Sequence, residues 1–76
     1  MTRANKIDKH VGKRLRAARR ASGLTVQQIA NALSIDSHSH ILNYETAYTR
    51  CPPGRLLPMA RLYRKPIQWF FAGAPK

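Results

Sequence analysis

Apolar side chains recur three and four residues apart along this chain, in short blocks cut by Gly23, by Cys51-Pro52-Pro53-Gly54 and by Lys65-Pro66. That spacing is helical, and no stretch alternates in the way a half-buried strand requires. From Lys9 to Ser22, Val11, Leu15 and Ala18 share one face while Lys13, Arg14, Arg16 and Arg20 lie on the others, with Asp8 expected to cap the start and Gly23 to end it. Thr25 followed by Gln28 forms a capping-box signature, and Ile29, Ala30 and Leu33 supply the inner face of a short second helix. After a tight connection at Ser34 and Ile35, Asp36 or Ser37 is expected to cap a third helix that turns Ile41 and Tyr44 inward. The segment from Thr46 to Gly54 reads as a loop. A fourth helix then carries Leu56, Met59, Leu62 and Tyr63, which places Pro58 in its first turn, where amides have no helical partner. Lys65 before Pro66 is a break, and a last short helix, Ile67 to Ala72, brings Trp69, Phe70 and Phe71 to the core before Gly73. Residues 1–6 read as a flexible basic arm, 7–73 as one domain and 74–76 as a tail.

A chain of 76 residues with 43% hydrophobic content holds one modest core, with no room for a second, catalytic domain. Fourteen Lys and Arg against three Asp and Glu give a formal charge of +11, which is best tolerated beside a polyanion. Nucleic acid leads, and an acidic membrane surface comes second. No apolar run approaches the roughly 20 residues of a membrane span and no segment resembles a signal peptide, so the expected location is cytoplasmic, on the nucleoid. Cys51 has no partner for an internal disulfide and reads as a small, partly buried apolar side chain. No paired carboxylates, activated nucleophile or glycine-rich phosphate cradle speaks for an enzyme, and no cofactor is expected. His38 and His40 raise the question of a metal, but residues two apart do not share a helix face and nothing completes four ligands.

The run Val11-Gly12-Lys13-Arg14-Leu15-Arg16, then Gly23-Leu24-Thr25, Ile29-Ala30-Asn31-Ala32-Leu33 and Tyr44-Glu45, resembles the phage-repressor and Cro-like (XRE-type) helix-turn-helix family. Ile7-Asp8-Lys9-His10, Arg50, Arg55-Leu56 and Trp69-Phe70-Phe71 extend the likeness, which looks strongest to small single-domain members common in alphaproteobacteria. The resemblance implies an all-α, five-helix, lambda-repressor-like DNA-binding domain, with the helix-turn-helix over residues 25–45. It also implies a homodimer on a two-fold double-stranded DNA operator. Three departures stand out: Val26 occupies a position usually held by Gln, Ser34 one usually held by Gly, and one extra residue separates Ile35 from Ile41.

With Ile41 and Tyr44 inward, helical geometry turns Ser39, Leu42, Asn43 and Thr46 outward, flanked by His38 and His40. His38, Ser39, His40, Leu42 and Asn43 are therefore the expected base readers, Asn for adenine, His and Ser for base edges, Leu for a thymine methyl. Thr25, Gln27, Gln28, Arg50 and Arg55 are the expected phosphate contacts, because a helix start and the loop after the reading helix approach the backbone in this docking mode. The resemblance pairs Arg19 with Glu45, joining the first helix to the third. Trp69, Phe70 and Phe71 exceed what one short helix buries alone and are the expected dimer contacts. The resulting function is sequence-specific transcriptional regulation, as a repressor or a dual repressor and activator, with autoregulation as a hypothesis and no small-molecule ligand. The competing reading is an antitoxin or anti-activator module that uses the same fold to bind a protein, which the charge disfavours unless that partner is acidic. An RNA-binding adaptor ranks lower, since the aromatics lie in core segments.

Overall fold

The computed structural model describes residues 5–74. They form helices α1 (Lys6–Ser22), α2 (Val26–Ala32), α3 (Ser39–Glu45) and α4 (Pro53–Tyr63), followed by one 3-10 turn, Ile67–Phe70. The architecture is all-helical, with no strand among the described residues, but it has four α-helices rather than five. The last expected helix tightens into a 3-10 turn closed between Pro66 and the left-handed Gly73 (φ 79°).

Local chemistry explains the boundaries. Asn5, not Asp8, is the N-cap of α1: the Asn5 side chain accepts from the Asp8 amide at 2.9 Å, and the Asp8 carboxylate accepts from the Asn5 amide at 2.9 Å. This reciprocal box draws residues 5 and 6 out of the expected arm and into the domain, while residues 1–4 lie outside the described residues. Gly23, at φ 75°, closes the helix by donating to the Arg20 carbonyl. At α2 the expected box is present, with the Gln28 amide donating to Thr25 Oγ1 at 3.1 Å and the Thr25 amide to Gln28 Oε1 at 2.8 Å.

The connection to α3 is a tight turn. Ser34 takes a left-handed conformation (φ 57°), and the amide of buried Ile35 donates to the Ala30 carbonyl at 2.8 Å. Neither Asp36 nor Ser37 is the N-cap; His38 is, with no side-chain cap of its own, while the Ser37 hydroxyl one residue earlier accepts from the Ser39 amide at 3.3 Å. A serine Cβ is disfavoured at positive φ. Ser34→Gly is therefore expected to stabilise the fold by about 0.5–1 kcal/mol, offset partly by the greater unfolded-state freedom of glycine. A melting temperature that falls would mean the Ser34 side chain contributes something its backbone strain conceals.

A second correction concerns Pro58. Pro53 takes the N1 position after the Pro52 N-cap, so α4 begins earlier than expected and Pro58 lies inside it rather than in its first turn. Pro58 is exposed, and the carbonyl it cannot pair with, four residues back, belongs to exposed Gly54.

Leu15, Ile29, Ile41, Met59 and Phe70 are fully buried and draw one residue from each element into a single core. The C-terminal segment is tied to α1: His10 Nε2 lies 2.6 Å from the Ala72 carbonyl, and Arg14 donates to the same oxygen at 3.2 Å. Arg14 and Lys65 both lie over the Trp69 ring, at 4.7 and 4.9 Å from its centroid, and Phe70 meets Trp69 edge-on at 5.1 Å.

Candidate nucleic-acid interface

α3 is only seven residues long, too short to be stable alone, so its position depends on what grips it. Ile41, Tyr44 and Glu45 are buried against the rest of the domain. Ser39, His40, Leu42 and Thr46 are exposed, as is His38 at the cap, while Asn43 is half-buried. The outward face expected from the sequence is thus free of the core, with Asn43 at its edge. Ser39 is engaged locally through a 2.7 Å contact with the Ser37 hydroxyl, and Thr46 through a 3.0 Å bond to the Leu42 carbonyl.

Two contacts from α1 fix the helix. Gly12 faces the C-terminal end of α3 so closely that a Cβ there would lie 2.6 Å from the Glu45 carbonyl oxygen and 2.7 Å from that of Tyr44. About two turns further along α1, Arg19 forms a fork on Glu45, Nε to Oε2 at 2.7 Å and Nη2 to Oε1 at 3.0 Å. The Glu45 side chain is 2% exposed and that of Arg19 17%. Its hydrogen bond to Glu45 pushes the Arg19 guanidinium above its ordinary pKa, against the opposing effect of burial. The buried Tyr63 hydroxyl, which has no partner, has its pKa raised by burial and by the Glu45 charge.

The expected phosphate contacts behave differently from one another. Gln27 and Gln28 are exposed at the start of α2, and Gln27 also donates to Asn31 at 3.0 Å. Thr25 Oγ1 accepts the capping bond and keeps its own proton to donate. Arg50 is exposed but leans back on α1, its Nε donating to Asp8 at 3.1 Å, which leaves its two terminal nitrogens free of that bond. Arg55 is half-buried, with Nη1 enclosed and unpaired, so one end of its guanidinium faces the protein. Burial pushes the nearby Cys51 thiol up to about 12, and this leaves it without thiolate character at neutral pH.

Of the three aromatics expected at a dimer contact, Phe70 must be withdrawn. It is completely buried in the chain's own core, Trp69 is half-buried beneath two cations, and only Phe71 is substantially exposed, at 43%. Sequence reasoning missed two features. Tyr48, 74% exposed, projects from the turn after α3 beside the left-handed Ala47 (φ 60°), and its loop position was its only signal. The Asp8–Arg50 pair joins residues 42 apart and carried no local signal at all. Among the described residues no group of three His, Cys, Asp or Glu could hold a metal ion, and no helix is long and apolar enough to cross a membrane.

The fold and this clamped third helix define a helix-turn-helix domain, and the chain belongs to the helix-turn-helix domain family, whose profile matches residues 10–66. Its relatives include a protein of Rickettsia conorii described as an uncharacterized HTH-type transcriptional regulator, 37% identical over 68 residues that cover 90% of this chain and 54% of the relative. A protein of Sinorhizobium medicae with the same description is 32% identical over 71 residues, covering 93% of this chain and 50% of the relative. The chain thus spans about half the length of the curated relatives it matches. Among solved structures, the DNA-binding domain of BldD shares the fold, with a TM-score of 0.76, 24% identity, and coverage of 93% of this chain and 99% of that one.

Proposed function

We propose that this domain is a sequence-specific DNA-binding transcriptional regulator that inserts α3 into the major groove of a two-fold operator. The observation that carries the reading is the arrangement of α3: one face clamped by Gly12 and the Arg19–Glu45 fork, the other offering Ser39, His40 and Leu42, with Asn43 at its edge, to solvent. A helix held so firmly at its C-terminal end, with polar donors and a methyl-bearing side chain turned outward, suits readout of base edges. The charge of +11 suits the phosphates around them, and the names of the relatives point the same way. The proposal includes repression, or repression combined with activation, with the protein's own promoter as the first place to look. Selection of bound sites from random DNA tests the reading directly; failure to enrich any sequence, together with capture of a specific protein partner, would replace it with the antitoxin or anti-activator reading.

Base and phosphate contacts have separable signatures. Asn43→Ala is expected to cost roughly 1–3 kcal/mol on the selected operator and far less on random DNA. Arg50→Ala is expected to weaken both alike and to lower the salt slope by about one unit. Equal losses for Asn43→Ala on both DNAs would move the readout toward His38, Ser39 and His40.

The homodimer is assigned to Phe71 and the chain around it, since Phe71 is the large aromatic left exposed at that end. Phe71→Ser is expected to shift a sedimenting dimer toward monomer by about tenfold in dissociation constant while leaving the melting temperature nearly unchanged. A wild type that is monomeric at tens of micromolar would remove the dimer from the proposal.

A further inference from the structure

The outer face of α1 carries a line of cations that the α3 interface does not use. Lys6, Lys9, Lys13, Arg16 and Arg20 follow one another at intervals of three, four, three and four residues, and all five are exposed. Taking about 100° per residue, they fall within a sector of roughly 80° centred opposite the buried side defined by Val11, Leu15 and Ala18. On the same reckoning the stripe lies about 90° around the α1 axis from Gly12 and Arg19, the residues that meet α3. It runs about 21 Å along the helix, from a rise of roughly 1.5 Å per residue.

Among the described residues no carboxylate pairs with this stripe. Among the described residues the ion pairs are Arg19–Glu45 and Arg50–Asp8, neither of which includes a stripe residue. Each neighbour along the line is a like charge at a spacing where like charges repel and weaken a helix. Lys6 and Lys9 also stand in the first turn, where the helix dipole favours anions. Local rules broken repeatedly on one exposed face, with no internal gain, mark a face shaped by something outside the fold. The stripe has no large apolar flank with which to enter a lipid interface: Val11, Leu15 and Ala18 are buried, and exposed Ile7 lies about 140° around the axis from the stripe's centre. A straight row of cations about as long as a duplex is wide, without aromatic or apolar anchors, matches a phosphate backbone read by charge alone.

We infer that the outer face of α1 is a second, sequence-independent surface for double-stranded DNA, so that a molecule seated on its operator through α3 holds another duplex segment. The inference rests on the proposed function, and its test separates the two. The duplex enriched by selection is fixed on beads, the full chain is bound, and a fluorescent random-sequence duplex of the same length is offered. Wild type is expected to capture the second duplex, with a log–log salt slope of about −4 to −5 for five neutralised phosphates. The variant Lys6→Gln, Lys9→Gln, Lys13→Gln, Arg16→Gln, Arg20→Gln is expected to stay on the bead duplex but to lose at least tenfold in capture. It should also melt higher than wild type at low salt, as relief of repulsion requires. Wild type that binds the bead duplex without capturing the second overturns the inference alone, as does a variant that still captures. Loss of both duplexes by the variant assigns the stripe to the operator itself and also overturns it. Wild type that retains neither duplex removes the DNA-binding reading as well.

Discussion

Gly12→Ala is expected to be among the most damaging single-methyl changes this chain can suffer, lowering stability by about 3 kcal/mol or more. In the interior of an exposed helix the same change would stabilise by up to about 1 kcal/mol, since alanine is the better helix former. Here the new Cβ would lie 2.6 and 2.7 Å from two backbone carbonyl oxygens of α3. Backbone atoms cannot rotate away as a side chain end can, so α3 must shift by on the order of 0.5–1 Å to reach ordinary contact, in an interior packed too densely to yield freely. The shift falls on the carbonyl of Glu45 itself, so it also opens the fork with Arg19. For a domain of this size about 3 kcal/mol corresponds to a melting temperature lower by roughly 12–24 °C. Gly54→Ala is the internal control: open space surrounds its missing Cβ within α4, and it should melt at or slightly above wild type. A Gly12→Ala protein that melts with wild type would mean that the α1–α3 approach is looser than 2.6 Å implies.

The same glycine shows where sequence reading ends. Helix periodicity and caps were legible because they are local: Val11, Leu15 and Ala18 share a face by spacing alone, and Thr25 with Gln28 satisfies amides three residues apart. Gly12 fits that pattern without explaining itself, because the reason for it is a carbonyl 33 residues away. The start of α3 was misjudged for a related reason. Asp36 and Ser37 both carry cap-forming side chains, yet the helix begins later, after His38, which caps it with backbone alone. Pro58 was misjudged because either Pro53 or a later residue could have opened α4, and a proline at N1 is favourable wherever packing permits it. Phe70 and Phe71 differ only in which one the 3-10 turn points into the core, a choice made by docking on α1 rather than by composition. The outward face of α3 was legible, since it is the complement of a helical apolar pattern; the tilt of Arg50 toward Asp8 and the inward turn of Arg55 were not.

Arg19→Ala and Glu45→Ala are expected to destabilise unequally. Removing Arg19 leaves a carboxylate 2% exposed, beside a Tyr63 hydroxyl that is itself buried and unpaired, and the loss should be about 3 kcal/mol or more. Removing Glu45 leaves a guanidinium on a long stem, already 17% exposed, which can extend toward water, so its loss should be smaller, roughly 1–2 kcal/mol. The double variant should lose less than the sum, because neither charge is then stranded, giving a coupling energy of about 1–3 kcal/mol in a denaturation cycle. Arg19→Lys separates charge from geometry: it keeps the positive charge but cannot reproduce the two parallel bonds at 2.7 and 3.0 Å, and it should recover only part of the loss. Operator affinity supplies the second readout. With the fork gone, the seven-residue α3 relies on Gly12 and its own apolar contacts, so affinity for the selected operator should fall about tenfold even where the domain is still folded, and affinity for random DNA much less. Single variants that melt with wild type and bind the operator unchanged would show that the fork neither holds the fold nor aims the reading helix.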